Sequence, residues 1–141
     1  VQHLKNLIDD FSDKHTNIAK LLLNKKFDSF VEAVPLFITK IIDCMHSLRQ
    51  VIVQEEKKLK LKESERYSYY KLDFEIKLTP AEIRDFIEKD AEVIEISDKI
   101  KNYINAIELL TDMKKNLDSS RYDVKNWVEL QKLKAEWGVV S

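Results

Sequence analysis

The sequence predicts an all-α protein built from long amphipathic helices. Glycine and proline are scarce, apolar residues recur at helical spacing, and charge is abundant between them. There is one Gly and there are two Pro in 141 residues, where average usage gives about ten and seven. Sheets and tight hairpins need those residues for special backbone angles. Hydrophobic residues make up 44% and charged ones 35%, the balance of helices with a buried stripe. That apolar content is enough for a core, so disorder is not expected.

Leu4, Leu7, Ile8, Phe11, Ile18, Leu21 and Leu22 mark a first amphipathic helix, with His15 in one slot of its stripe. Asn24 and Lys25-Lys26 mark a break. A second stripe runs from Phe27 through Phe30, Val34, Phe37, Ile41, Met45 and Leu48 to Ile52, with Pro35 inside it. A proline is accommodated best in a first turn, so this helix is expected to begin near Val34. The alternative is an earlier start with a kink. The stripe then thins to Leu59 and Leu61 while lysines multiply, and the helix is expected to reach about Tyr70.

Leu72 to Leu78 alternates apolar and polar residues, as a short strand or an extended connection would. Thr79-Pro80-Ala81-Glu82 is the clearest boundary, with a capping threonine, proline at the first helical position and glutamate completing a capping box. One long helix is expected to follow, through Ile83, Phe86, Ile87, Val93, Ile100, Ile104 and Ile107. Asp90 and Ser97 are polar slots on its seam. Asp118-Ser119-Ser120 should end or bend it. A last helix carries Val124, Trp127, Val128, Leu130, Leu133 and Trp137, and Gly138 suits a left-handed cap. The chain reads as a single helical domain, with 1–78 holding the N-terminal helices and basic segment and 79–141 the long and C-terminal helices. Few loops and long amphipathic faces favour a homo-oligomer. Candidate subunit contacts are Asp90, Ile100, Ile104, Ile107, Trp127 and Trp137. Asp90 is read either as a solvated position or as a polar registry residue, and the tryptophans as core or contact residues.

Catalysis is not expected. The three histidines, His3, His15 and His46, lack a second ligand at helical spacing, and a metal site needs three or four convergent ligands. Glycine-rich phosphate loops and nucleophile motifs are missing. No cofactor is implied. Cys44 reads as a small buried hydrophobe. No apolar run reaches the length of a membrane span and no signal-peptide pattern opens the chain, so a cytoplasmic protein is expected. The lack of an initiating Met suggests that residues before Val1 are missing or were removed.

The formal net charge is −1, but it is unevenly spread. Lys57–Lys71 holds six basic residues against two acidic, Asp73–Asp98 nine acidic against three basic, and Lys114–Lys134 six basic against three acidic. Basic, acidic and basic blocks suit head-to-tail contacts, anionic ligands, or both. In the first block, Lys57, Lys58, Lys60, Lys62, Arg66 and Lys71 can attract phosphates, and Tyr67, Tyr69 and Tyr70 can stack on unpaired bases. Duplex DNA hides those base faces, so the combination prefers single strands. The plainer alternative is a solvated charged face with tyrosines that anchor packing.

The order of motifs resembles the UvsY family of bacteriophage recombination mediators. The resemblance runs from about Gln54 to Gly138. It comprises a lysine-rich helix, Arg66-x-x-Tyr69-Tyr70, a capped helix with Ile87-x-x-Asp90, a long amphipathic helix, Ser120-Arg121-Tyr122-Asp123-Val124-Lys125 and Trp137-Gly138. Before Gln54 the chain resembles the family only in being helical. The resemblance implies a ring-shaped homo-oligomer that binds single-stranded DNA. It also implies help in loading a RecA-like recombinase onto strands covered by single-strand-binding protein, in the host cytoplasm for a phage-encoded chain. Arg66 corresponds to a basic residue of the family's DNA-binding motif and Tyr69-Tyr70 to its tyrosine pair. Ser64 stands where the family often has lysine, and Lys71 where glycine often follows the tyrosines. The rival is a helical scaffold or adaptor whose basic segment pairs with a neighbour's acidic block.

Overall fold

The computed structural model describes residues 2–138, and among these the ordered elements are helical. Helix α1 spans Gln2–Leu23, α2 Phe27–Ser68, α3 Pro80–Glu88 and α4 Ala91–Glu136, with a π-helical turn at Tyr69–Asp73. The chain packs as two compact units, to each of which α2 and α4 contribute. No described helix is long and apolar enough to cross a membrane.

One unit comprises Gln2–Met45 together with residues 108–138. Its α1 ends where the sequence places a break. Lys26 N donates to Leu21 O and Lys25 N to Leu22 O, with Lys25 at a φ of 59°. This is a Schellman stop with lysine in the left-handed position usually taken by glycine. Helix α2 starts at once: Phe30 N donates to Lys26 O at 3.0 Å. The late start expected near Val34 is therefore wrong, and Pro35 lies inside the helix. Fully buried Phe30 and Val34 hold the turns before it in place. Burial of two large side chains outweighs the loss of one backbone hydrogen bond. Phe37, Ile38, Ile41 and Met45 continue that face, which shares its unit with buried Leu4, Leu110, Leu117 and Val124. The Phe11 and Phe37 rings lie 5.8 Å apart and His15 Nε2 is 3.0 Å from Asn116 Oδ1. Cys44 is half-buried, and burial pushes its thiol pKa up.

Helix α4 does not stop at Asp118-Ser119-Ser120 but continues to Glu136. Leu117 and Val124, buried one heptad apart, span the polar triplet. Asp118 also binds Lys114 at 3.0 Å and Arg121 at 3.1 Å along the same helix. Aspartate and serine are only mildly unfavourable inside helices, so this anchoring prevails. Gly138 takes the left-handed conformation expected, with φ 72°.

The other unit is described over residues 46–107. Its charged pairs Glu55–Lys99 and Arg66–Asp90 show α2 and α4 running antiparallel here, rising numbers on one meeting falling numbers on the other. The capping box is present: Glu82 N donates to Thr79 Oγ1 at 3.2 Å, and Thr79 N to Glu82 Oε1 at 3.1 Å. Residues 72–78 form no strand. Leu72 and Asp73 complete the π-turn and Phe74 begins an extended connection. The single long helix expected after Thr79 is two helices. Asp90 separates them by capping α4, its Oδ1 accepting from Glu92 N at 3.0 Å and Val93 N at 3.3 Å. Aspartate satisfies a helix start better than it fills a helix interior. The turn lets Ile83 and Ile87 of α3 join Val93 of α4 in one buried cluster, against which Leu59, Tyr70 and Leu78 pack.

Candidate nucleic-acid interface

Two faces of α2 divide the basic segment. The apolar seam does not stop at Leu48 and Ile52. It continues at the same three- and four-residue steps through Glu55, Leu59, Lys62 and Arg66, all buried or half-buried. Charged residues therefore occupy seam positions and meet partners there. Glu55, only 5% exposed, accepts from Lys99 at 3.0 Å and from Lys58 at 3.3 Å. Hydrogen bonding from Lys99, supported by Lys58, lowers the Glu55 pKa against the opposing effect of burial.

Lys62 and Arg66 meet the acidic start of α4. Lys62 Nζ lies 2.9 Å from Glu92 Oε2 and 3.3 Å from Glu65 Oε2. Arg66 Nη2 is 3.1 Å from the same Glu92 oxygen, and Arg66 Nε is 3.0 Å from Asp90 Oδ2. The Nε contact is off the N–H axis and is electrostatic rather than a directed hydrogen bond. Hydrogen bonding from Lys62, then its charge and the Arg66 contact, lowers the Glu92 pKa, and Glu92 correspondingly raises that of Lys62. Arg66, the residue the resemblance puts on DNA, thus ties α2 to the cap of α4.

The opposite face of α2 is different. Lys57, Lys60, Ser64 and Tyr67 recur there at steps of three and four, Lys71 follows in the π-turn, and all five are exposed. Lys71 Nζ stands 5.7 Å from the Tyr67 ring centroid, close enough for a cation–π contact. Lys57 and Lys60 make no ion pair among the described residues. This stripe joins free cations to an accessible ring.

The tyrosines separate in the same way. Tyr67 and Tyr69 are 37% and 41% exposed. Tyr70 is half-buried against the Ile83–Ile87–Val93 cluster, with its ring 5.4 Å from Phe74 and 5.3 Å from Phe86. Tyr69 touches the edge of this aromatic group, 5.1 Å from Tyr70. The π-turn at Tyr69–Asp73 widens the backbone where these rings meet.

The matching description is "Recombination, repair and ssDNA binding protein UvsY", and that family's model covers residues 7–137. The chain belongs to the UvsY family. The match takes in α1 from Leu7 onward and the start of α2, which the motifs alone left outside the resemblance. Membership makes this a recombination, repair and single-stranded-DNA-binding chain, with a basic, tyrosine-bearing helix as its candidate interface. No curated protein and no solved structure matches it.

Other sequence candidates fall in different places. Within the unit of residues 46–107, Ile100 is a core residue at 8% exposure, Ile104 is 41% exposed and Ile107 is half-buried. Neither tryptophan lies in the core. Trp127 is half-exposed and packs on Phe27 at 4.9 Å between centroids, while Trp137 is 71% exposed. In the second basic block, Asp118 pairs with Lys114 and Arg121, whereas Lys115 and Lys125 are exposed. No cluster among the described residues could hold a metal ion. Sequence reasoning missed the charged seam. Its signal was the unbroken spacing 48, 52, 55, 59, 62, 66, readable once charged residues are allowed on a seam.

Proposed function

We propose that this protein is a non-enzymatic recombination mediator that binds single-stranded DNA along the exposed stripe of α2. In this role it helps load a RecA-like recombinase onto strands covered by single-strand-binding protein. The observation that carries the reading is the run Lys57, Lys60, Tyr67 and Lys71, unneutralised by carboxylates and interleaved with an exposed ring. Lysines there attract phosphates without regard to sequence. Tyr67 and Tyr69 offer faces to unpaired bases. Lys58 stands at the flank of the stripe, shared with Glu55. Tyr70 supports the platform from inside.

The protein acts as a homo-oligomer, a closed ring by analogy with its family. Support comes from the large apolar side chains exposed near the end of α4, among them Trp127, Leu130, Leu133 and Trp137, since such patches mark association surfaces. The rival scaffold reading drew on pairing between the basic segment and a neighbour's acidic block. Lys62 and Arg66 instead find Asp90 and Glu92 in their own chain, which takes two of the segment's cations out of such pairing.

The test is a titration of labelled single strands at several salt concentrations. Replacing Lys57, Lys60 and Lys71 together with Ala should flatten the slope of log affinity against log salt by about 2, at about 0.7 per lost phosphate contact. Helicity and assembly mass should not change. An unaltered slope in an intact assembly would move the DNA to another surface, with Lys115 and Lys125 the first to examine.

A further inference from the structure

We propose that Lys62 and Arg66 form a second phosphate-binding site, occupied in the free protein by the chain's own Glu92 and opened when a bound strand displaces that carboxylate. The inference rests on the single-strand-binding reading above and concerns how the same helix grips and releases its strand.

The geometry is that of an oxyanion receptor. Lys62 Nζ and Arg66 Nη2 converge on one oxygen of Glu92, at 2.9 and 3.1 Å. A phosphodiester oxygen presents the same charge and the same acceptor geometry to these groups. The three carboxylates at the site, Glu65, Asp90 and Glu92, are not equivalent, and only Glu92 meets both cations. Asp90 has a side chain only 9% exposed, and its other oxygen holds two backbone N–H groups of α4. It cannot leave without uncapping the helix. Glu92 is 52% exposed, and among the described residues these two are the ion pairs its side chain makes. Rotation of its flexible side chain into solvent opens one anion position shared by both cations, while Asp90 keeps the guanidinium oriented and Glu65 stays beside Lys62 at 3.3 Å. Exposed ion pairs of this kind are weak, so a phosphate backbone already held by neighbouring lysines at high local concentration can compete. The exchange runs in both directions. An internal anion that reclaims its cations as the strand lifts favours release, which a mediator needs when it hands DNA on.

The experiment compares the full-length wild type, Glu92→Gln and Glu63→Gln for affinity, salt slope and dissociation rate on a labelled oligothymidine strand. Glu63 is an exposed residue of the same basic segment, so its substitution reports the general effect of removing one negative charge. Glu92→Gln should bind about threefold tighter or more than Glu63→Gln, given the weakness of exposed pairs. Its salt slope should be steeper by about 0.7 and its dissociation slower. Adding Lys62→Ala to Glu92→Gln should cancel the gain. If Glu92→Gln matches Glu63→Gln, or binds more weakly than wild type with helicity intact, the exchange is overturned and the stripe remains the DNA surface. If neither wild type nor Glu92→Gln binds single strands at moderate salt, both readings fall together. Binding by Glu92→Gln alone would support the masking directly.

Discussion

The carboxylate of Asp90 divides its oxygens between two helices. Oδ1 accepts from the first N–H groups of α4, and Oδ2 lies 3.0 Å from Nε of Arg66 on α2. Asparagine caps a helix about as well as aspartate, but it carries no charge. Asp90→Asn should therefore keep the cap and lose only the ion pair, at a cost of about 0.5–1 kcal/mol for a partly exposed partner. Asp90→Ala should lose both and cost about 1 kcal/mol more. Urea unfolding of the two variants measures the difference, and equal midpoints would show that the cap contributes nothing.

Tyr69 and Tyr70 are neighbours with separate duties. Tyr70→Ala should destabilise the fold by about 2 kcal/mol, less than full core truncation because the ring is half-buried. Tyr69→Ala should change stability little and weaken single-strand binding by about 1–3 kcal/mol at every salt concentration. Thermal melts and binding titrations on both variants check the assignment. A Tyr69→Ala variant that melts early and binds normally would reverse the roles.

Pro35 stands inside a helix, where it removes one backbone donor and crowds the preceding turn. Pro35→Ala supplies that donor to the carbonyl of Val31. It should stabilise the chain by about 1–2 kcal/mol, since the gain in helix propensity exceeds the lost rigidity of the unfolded chain. A lower melting temperature would mean that Pro35 shapes the helix so that Phe30 and Val34 reach their buried sites.

Acid should weaken the fold through the charged seam. The pKa values of Glu55 and Glu92 are lowered from the ordinary 4.5 by their lysine and arginine partners. A depressed folded-state pKa means that the unfolded chain binds more protons. The stabilisation is then complete above 4.5 and is lost as pH falls through the folded values. Glu55→Gln should lower stability at neutral pH and flatten its decline as the pH falls below 4.5. Parallel pH profiles for wild type and variant would show that this pair does not contribute to acid sensitivity.

Local chemistry alone determined much of this architecture. The stop after Leu23, the capping box at Thr79, the left-handed Gly138 and the helical class follow from residues whose preferences act within one or two turns. The motif order from Gln54 onward likewise carries the family resemblance in the sequence itself. Tertiary packing decided the rest. Pro35 stays inside α2 because Phe30 and Val34 are buried in the turns before it, and α4 runs through Asp118-Ser119-Ser120 because Leu117 and Val124 anchor both flanks. Asp90 ends a helix that its periodicity would continue, because capping α4 also brings Arg66 a partner. Most of all, six basic residues between Lys57 and Lys71 look alike in sequence. Only the approach of α4 separates the seam cations, held by Asp90 and Glu92, from the outward stripe free to meet a strand. Charge belongs to a residue, but whether it is neutralised depends on which carboxylate the fold brings within about 3–4 Å.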